Sequence, residues 1–450
     1  MKKYVFLFAV LLLLTSGSRG QQGKVIDRII EIGKTDNRTM HHLDVISNRF
    51  GGRLVGSDAY ENAGLCWASE FRKWGMEVIM DEAGSVPVGF NRGPWFGRML
   101  SDNGMILHFA TPSYTSGTKG VQRGHVLLEP KNRQEFESMK GTLKGAWVLI
   151  GGKNDGWPVD FSEKADSARK VIITYNDSVG AINREIMREN YMNRDKAPKE
   201  TIPLKSAPAL FYREMREEGI LGVIQSSELP IRALYDRKNI SEMTFEKLPT
   251  VCDIKLDENQ YAVIEKMVKE RKFFLLEFDI RNHFKPGPVK YHNVIGVIKG
   301  TQYPDEYVMM GGHLDAFDVA TGGVDDGSGI TPAMEAARLI TAAGGKPRRS
   351  IMVCLWAAEE FGLLGSKHWV ETNMEKLPRI SNYFNRDGGP TVASGLAVPE
   401  SMYEDFEKVC RPLNEINPDF PFRLSKNTNP PRPKPTTAGG SDHAYFAMNG

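Results

Sequence analysis

The chain has 450 residues, 41% hydrophobic and 25% charged, enough apolar material for more than one core, so two domains is the natural expectation. Lys and Arg number 58 against 56 Asp and Glu, a formal net charge of +2, which points neither to a nucleic-acid partner nor to an acidic disordered chain. The four cysteines, Cys66, Cys252, Cys354 and Cys410, are far apart and form no C-x-x-C pair, so neither a disulfide scaffold nor a thiolate zinc site is indicated.

At the start, Lys2 and Lys3 precede the apolar run 5–14, and Ser18 and Gly20 stand as small residues before a cut at Gln21. This is the pattern of a secretory signal, and the run is too short to cross a bilayer of about 30 Å. No later stretch reaches spanning length, so the expected mature protein is exported, periplasmic or secreted, without a membrane span. Residues 25–50 then carry a helical pattern, with Ile26, Ile29, Ile30, Ile32, Leu43 and Ile46 on apolar faces. A glycine-bearing loop at 51–57 leads to an amphipathic helix over 59–74, which ends at Gly75 before a strand at 76–80.

From 89 to 255 Gly and Pro become frequent. Runs at 124–128, 146–150 and 170–174 read as short strands, 215–222 as a helix and 184–205 as a charged irregular loop. This span is expected to be an inserted β-rich domain. Two strand-like runs, 273–280 and 293–298, flank a Pro- and Gly-bearing stretch at 285–289 and suit a hairpin. The pattern closes as strand (307–310), helix (329–343), strand (350–357), helix (363–373) and strand (380–384). Continuous apolar strands alternating with helices predict an α/β fold, a three-layer αβα sandwich on a mixed, mostly parallel sheet, assembled from 21–88 and 256–450.

In such folds ligands gather beyond the carboxyl ends of the strands, where this sequence concentrates its acids and histidines. His313-Leu314-Asp315 follows the first of the late strands, and Asp315 is placed to steady one ring nitrogen of His313 while the other meets a metal. Asp325 and Asp326 lie in a glycine-rich turn before a helix, where capping acids are ordinary. Glu359 and Glu360 end an apolar strand, Asp387 follows another, and Ser441-Asp442-His443 stands near the end. Each motif alone is unremarkable. The ordered series of nitrogen and oxygen donors without thiolate suits a catalytic zinc site better than a structural one.

The set His313-Leu314-Asp315, Gly323-Val324-Asp325-Asp326-Gly327-Ser328-Gly329, Trp356-Ala357-Ala358-Glu359-Glu360-Phe361-Gly362, Asp387 and Ser441-Asp442-His443 resembles the secreted co-catalytic di-zinc exopeptidases, which include bacterial leucyl aminopeptidases and plasma glutamate carboxypeptidase. The resemblance extends to the Gly52-Arg53-Leu54-Val55-Gly56-Ser57 loop and covers the chain except most of the insert, which looks like a protease-associated domain. It implies two zinc ions, with Asp325 bridging both, His313 and Asp387 completing one, and Glu360 and His443 the other. Glu359 is then the general acid/base, Asp315 a supporting residue, and the Asp325–Asp326 peptide bond cis. Arg386 and Gly388 depart from the family, whose relatives often carry apolar residues beside the ligand at 387. Seven residues follow His443 where the family continues through a strand and a helix, so truncation is expected.

The implied substrate is a peptide or dipeptide. The pattern does not decide between aminopeptidase and carboxypeptidase or dipeptidase, nor the oligomeric state. A glutaminyl cyclase on the same fold, a receptor-like scaffold without catalysis, and a calcium-binding protein are the alternatives. The retained ligands argue against the scaffold, the insert against the cyclase and the two histidines against calcium.

Overall fold

The structure is a computed structural model that describes residues 23–101, 104–234, 244–430 and 433–449, so the signal at 1–20 lies outside the described residues. The chain divides into two units, one formed by 1–85 with 290–450 and the other by 86–289. It passes between them within two 24-residue strands, β1 (Glu77–Leu100) and β2 (Leu275–Ile298).

In the first unit, helix α1 (Asp58–Lys73) begins where the Ser57 hydroxyl accepts the amide of Tyr60, and it buries Tyr60, Ala63, Trp67, Ala68 and Phe71 along one face. After β1 and β2 come β3 (Tyr303–His313), α2 (Ser328–Ala342), β4 (Arg349–Trp356), α3 (Leu364–Thr372) and β5 (Ile380–Asn385). Sheet order is β1-β2-β4-β3-β5, with β4 antiparallel to β2 and β3 parallel to both β4 and β5. Ile295, Val297, Met309, Met352, Cys354, Trp356, Trp369 and Val370 pack as its core. This is the mixed α/β sheet that the alternation of elements predicts.

The second unit is built on a five-stranded sheet ordered Phe109–Ala110, Cys252–Asp257, Gly222–Ser227, Trp147–Asn154 and Val126–Leu128. All but the first of these strands are parallel. Alternate residues feed two cores. Trp147, Leu149, Ile224, Ile254 and Leu256 join one, while Val148, Ile150, Val223 and Val251 join the other.

Four expectations change. The run 170–174 is not a strand but part of a helix, Glu163–Met192, because Arg169, Ile173, Asn176 and Val179 recur at helical spacing and form its buried side. That helix also covers the first part of the expected loop at 184–205. The hairpin at 273–298 is one strand, β2: a Cβ at Gly287 would stand 2.1 Å from the Pro87 carbonyl oxygen, so this glycine marks close backbone approach, not a turn. The second unit runs past the expected limit at 255 because Leu256, Ile264, Phe274, Leu276, Phe278 and Ile280 belong to its core. All four cysteines are free, with Cys354 fully buried. No helix among the described residues is long and apolar enough to cross a membrane.

Candidate metal centre

Parallel pairing sets the carboxyl ends of β3, β4 and β5 side by side, with Trp356 opposite His313 and Asn385 opposite Gly311. The chemistry-bearing residues follow directly. His313 is fully buried, and its Nδ1 lies 2.9 Å from the backbone carbonyl of Asp315. A carbonyl only accepts, so Nδ1 carries the hydrogen and Nε2 faces the acids. Nε2 is 3.0 Å from Asp325 Oδ1, 3.5 Å from Asp387 Oδ1 and 4.0 Å from Glu359 Oε2. His313, Asp325 and Asp387 each offer one atom within 4.8 Å of the others, which is room for one shared cation. Burial opposes charge on His313, but Asp315, Asp325 and Asp387 outweigh it and hold its pKa well above the ordinary value. Carboxylates that favour a proton on Nε2 favour a divalent cation there for the same reason. With its side chain 58% exposed, Asp325 leaves the group open to solvent on one side.

Asp315 differs from expectation. Its carboxylate stands 3.6 Å from Nδ1 and instead accepts the amides of Glu359 at 3.0 Å and Glu360 at 3.2 Å. It thereby fixes the turn after β4, while its carbonyl orients the imidazole. Asn293 holds the other side of that turn, accepting from the Ala357 amide at 2.9 Å and donating to the Gly365 carbonyl at 3.0 Å. Burial, reinforced by neighbouring acids, lifts Glu359 to about 7 and Glu360 to about 8.

In the sequence Asp326 reads only as a capping acid in a glycine-rich turn. Here its Oδ2 accepts the His313 amide at 3.2 Å and its Oδ1 the Gly388 amide at 3.3 Å, tying the end of β3 to the loop that carries Asp387. A Cβ at Gly312 would stand 2.1 Å from Oδ2, so glycine is needed there for the carboxylate to come in. The Asp325–Asp326 peptide is cis. Asp387 is held below the ordinary carboxylate range, its burial outweighed by His313 and Ser441. Ser441 also accepts from Asn385 Nδ2 at 2.9 Å, anchoring the last turn.

Glu360 is buried and His443 exposed at the start of a short helix, His443–Asn449. Among the described residues, neither belongs to the group formed by His313, Asp325 and Asp387.

Residues 293–450 match the profile of peptidase family M28. Over this stretch the chain is similar to that family. The matched stretch holds every acid and histidine described above. Over longer stretches the chain is 29% identical to carboxypeptidase Q of Rattus norvegicus, across 87% of this chain and 74% of that protein. It is 48% identical to the probable glutamate carboxypeptidase LAMP1 of Arabidopsis thaliana over 102 residues, 22% of this chain and 15% of that one. Among solved structures, a peptidase M28 precursor from Shewanella amazonensis SB2B superposes with a TM-score of 0.52 at 18% identity, covering 96% of this chain and 86% of that one. That last likeness concerns the fold.

Proposed function

We propose that the protein is a zinc-dependent exopeptidase that hydrolyses a terminal peptide bond of a peptide or dipeptide. The observation that carries the reading is the convergence of His313 Nε2 with the Asp325 and Asp387 carboxylates, beside Glu359. An imidazole with carboxylates and no thiolate is a donor set that fits zinc at a catalytic site. Two zinc ions are proposed, with Asp325 shared, His313 and Asp387 holding one, and Glu360 and His443 reaching the other. Relatives named carboxypeptidase Q, matched over most of this chain, favour the exopeptidase reading over the cyclase and scaffold alternatives.

Bound zinc would supply a Lewis acid for the scissile carbonyl and lower the pKa of water. The chain's own residues do the rest. Glu359, with a pKa near 7, takes a proton from the attacking water and returns it to the leaving amine. Asp315 keeps Glu359 in reach by its grip on the backbone, and Asp326 keeps the loops of His313 and Asp387 together. Exhaustive chelation is expected to abolish release of terminal residues from dipeptides and amino-acid amides, and zinc to restore it. Full activity in metal-free protein would sink the reading.

The signal at 1–20 supports export, to the periplasm or outside the cell. Amino-terminal sequencing of the exported protein should begin at Gln21, and a retained Met1 would contradict this.

A further inference from the structure

Arg53 is completely buried, yet among the described residues its guanidinium hydrogen-bonds to backbone carbonyls and to no carboxylate. Its Nε donates to Leu314 at 2.7 Å, and Nη1 to Gly51 at 2.7 Å, Ile46 at 3.2 Å and Thr321 at 3.2 Å. Nη2 donates to Gly322 at 2.9 Å. These carbonyls come from three separate stretches of chain. One includes Leu314, between His313 and Asp315, and another leads through Thr321 and Gly322 to Asp325. The backbone joins in, since the Ala316 amide donates to the Arg53 carbonyl at 3.1 Å. At Gly322, whose φ is +60°, a Cβ would stand 2.6 Å from Nη1 and 2.7 Å from Nη2, so the turn is shaped around the guanidinium.

A buried cation without a directly paired anion is costly to keep. The acids whose charge offsets it are Asp315, Asp325 and Asp326, all at the site. We infer that Arg53 is a positioning residue for the metal centre: its guanidinium clamps the turn bearing His313 and Asp315 to the turn bearing Asp325, and so presets the ligands before a cation arrives. The inference rests on the zinc reading above. Geometry is the active ingredient, because a positive charge by itself repels zinc. Lysine keeps the charge but not the planar fork that reaches three stretches at once.

The test measures zinc affinity of metal-free protein by competition with a chelating dye, together with thermal melting. Arg53→Lys is expected to bind zinc about 10- to 100-fold more weakly than the parent, the usual cost of losing a residue that orients ligands, and excess zinc should restore part of its kcat. Met352→Ala, which opens a hole in the same unit's core on β4, should lower the melting temperature and leave zinc affinity unchanged. Should Arg53→Lys not fold, Gly322→Ala, which pushes on the guanidinium from outside, is read by the same criterion. Zinc binding at parental strength in the folded variant overturns the clamp, as does an equal loss in Met352→Ala. A parent that binds no zinc overturns the zinc reading instead.

Discussion

Glu359 and Glu360 are adjacent, chemically identical and assigned opposite work. Both amides are held by the one Asp315 carboxylate, so the backbone of the pair is fixed and only the side chains diverge. Glu359→Gln keeps size and removes the proton acceptor; turnover is expected to fall about 10²- to 10⁴-fold while bound zinc and melting temperature hold. Glu360→Gln and His443→Ala should instead each lose about one equivalent of zinc by metal analysis, with His313, Asp325 and Asp387 keeping theirs. Metal loss in Glu359→Gln with full metal in Glu360→Gln would exchange the two roles. The residue scale is also where sequence was most and least informative. His313 and Asp387 are legible because the ends of parallel strands must converge, whereas Asp325, in the glycine-rich turn before α2, stands out only through the resemblance. Asp326 and Arg53 are not legible, since a capping acid and a buried clamp look in sequence like any polar residue of a glycine-rich loop.

Elements are legible in the sequence where apolar runs are continuous and obscure where two periods compete. Strands β3, β4 and β5 and helix α2 lie close to their expected places because buried parallel strands are unbroken apolar runs. The stretch 170–174 reads as a strand because Val171, Ile172 and Ile173 have the composition of one, while the cluster that buries Ile173 includes Phe136, Leu210 and Phe211, distant in sequence. Just after Val126–Leu128, Glu129 offers a test of burial in the second unit. It accepts the Gly151 amide at 2.6 Å and the Leu210 amide at 3.2 Å, yet burial still lifts its pKa from 4.5 to about 7. Below the unfolded value both states hold the proton, and above the folded value both have released it. Between the two only the unfolded state has let go, so stability falls as pH rises through this window, by about 3 kcal/mol in all. Melts of the unit should therefore shift down from pH 4.5 to 7.5, and Glu129→Gln should flatten the profile. A parent whose stability rises over that window through this residue would refute the assignment.

At the scale of the whole molecule, all five proposed ligands lie between 290 and 450, in the first unit. The second unit is then proposed to fold on its own and to supply no zinc ligand. A chain in which 86–289 is replaced by a short turn should keep the parent's zinc content, and a lost equivalent would count against this. The feature that makes such a chain feasible is where the two units are joined. Within the first unit, Glu82 pairs with Lys290 at 2.7 Å, and a Cβ on Gly84 would stand 2.5 Å from the Tyr291 hydroxyl. Within the second, Gly287 abuts Pro87. Each unit thus brings its own two ends together, and each acts on the other as a cross-link does, by shrinking the ensemble its partner must collapse from. If 86–289 were unfolded, closing so long a loop would cost the first unit about 3 kcal/mol more than closing a tight turn. A substitution that melts the insert should accordingly weaken hydrogen-exchange protection around β3 and β4, a coupling to which chain entropy contributes without any new contact.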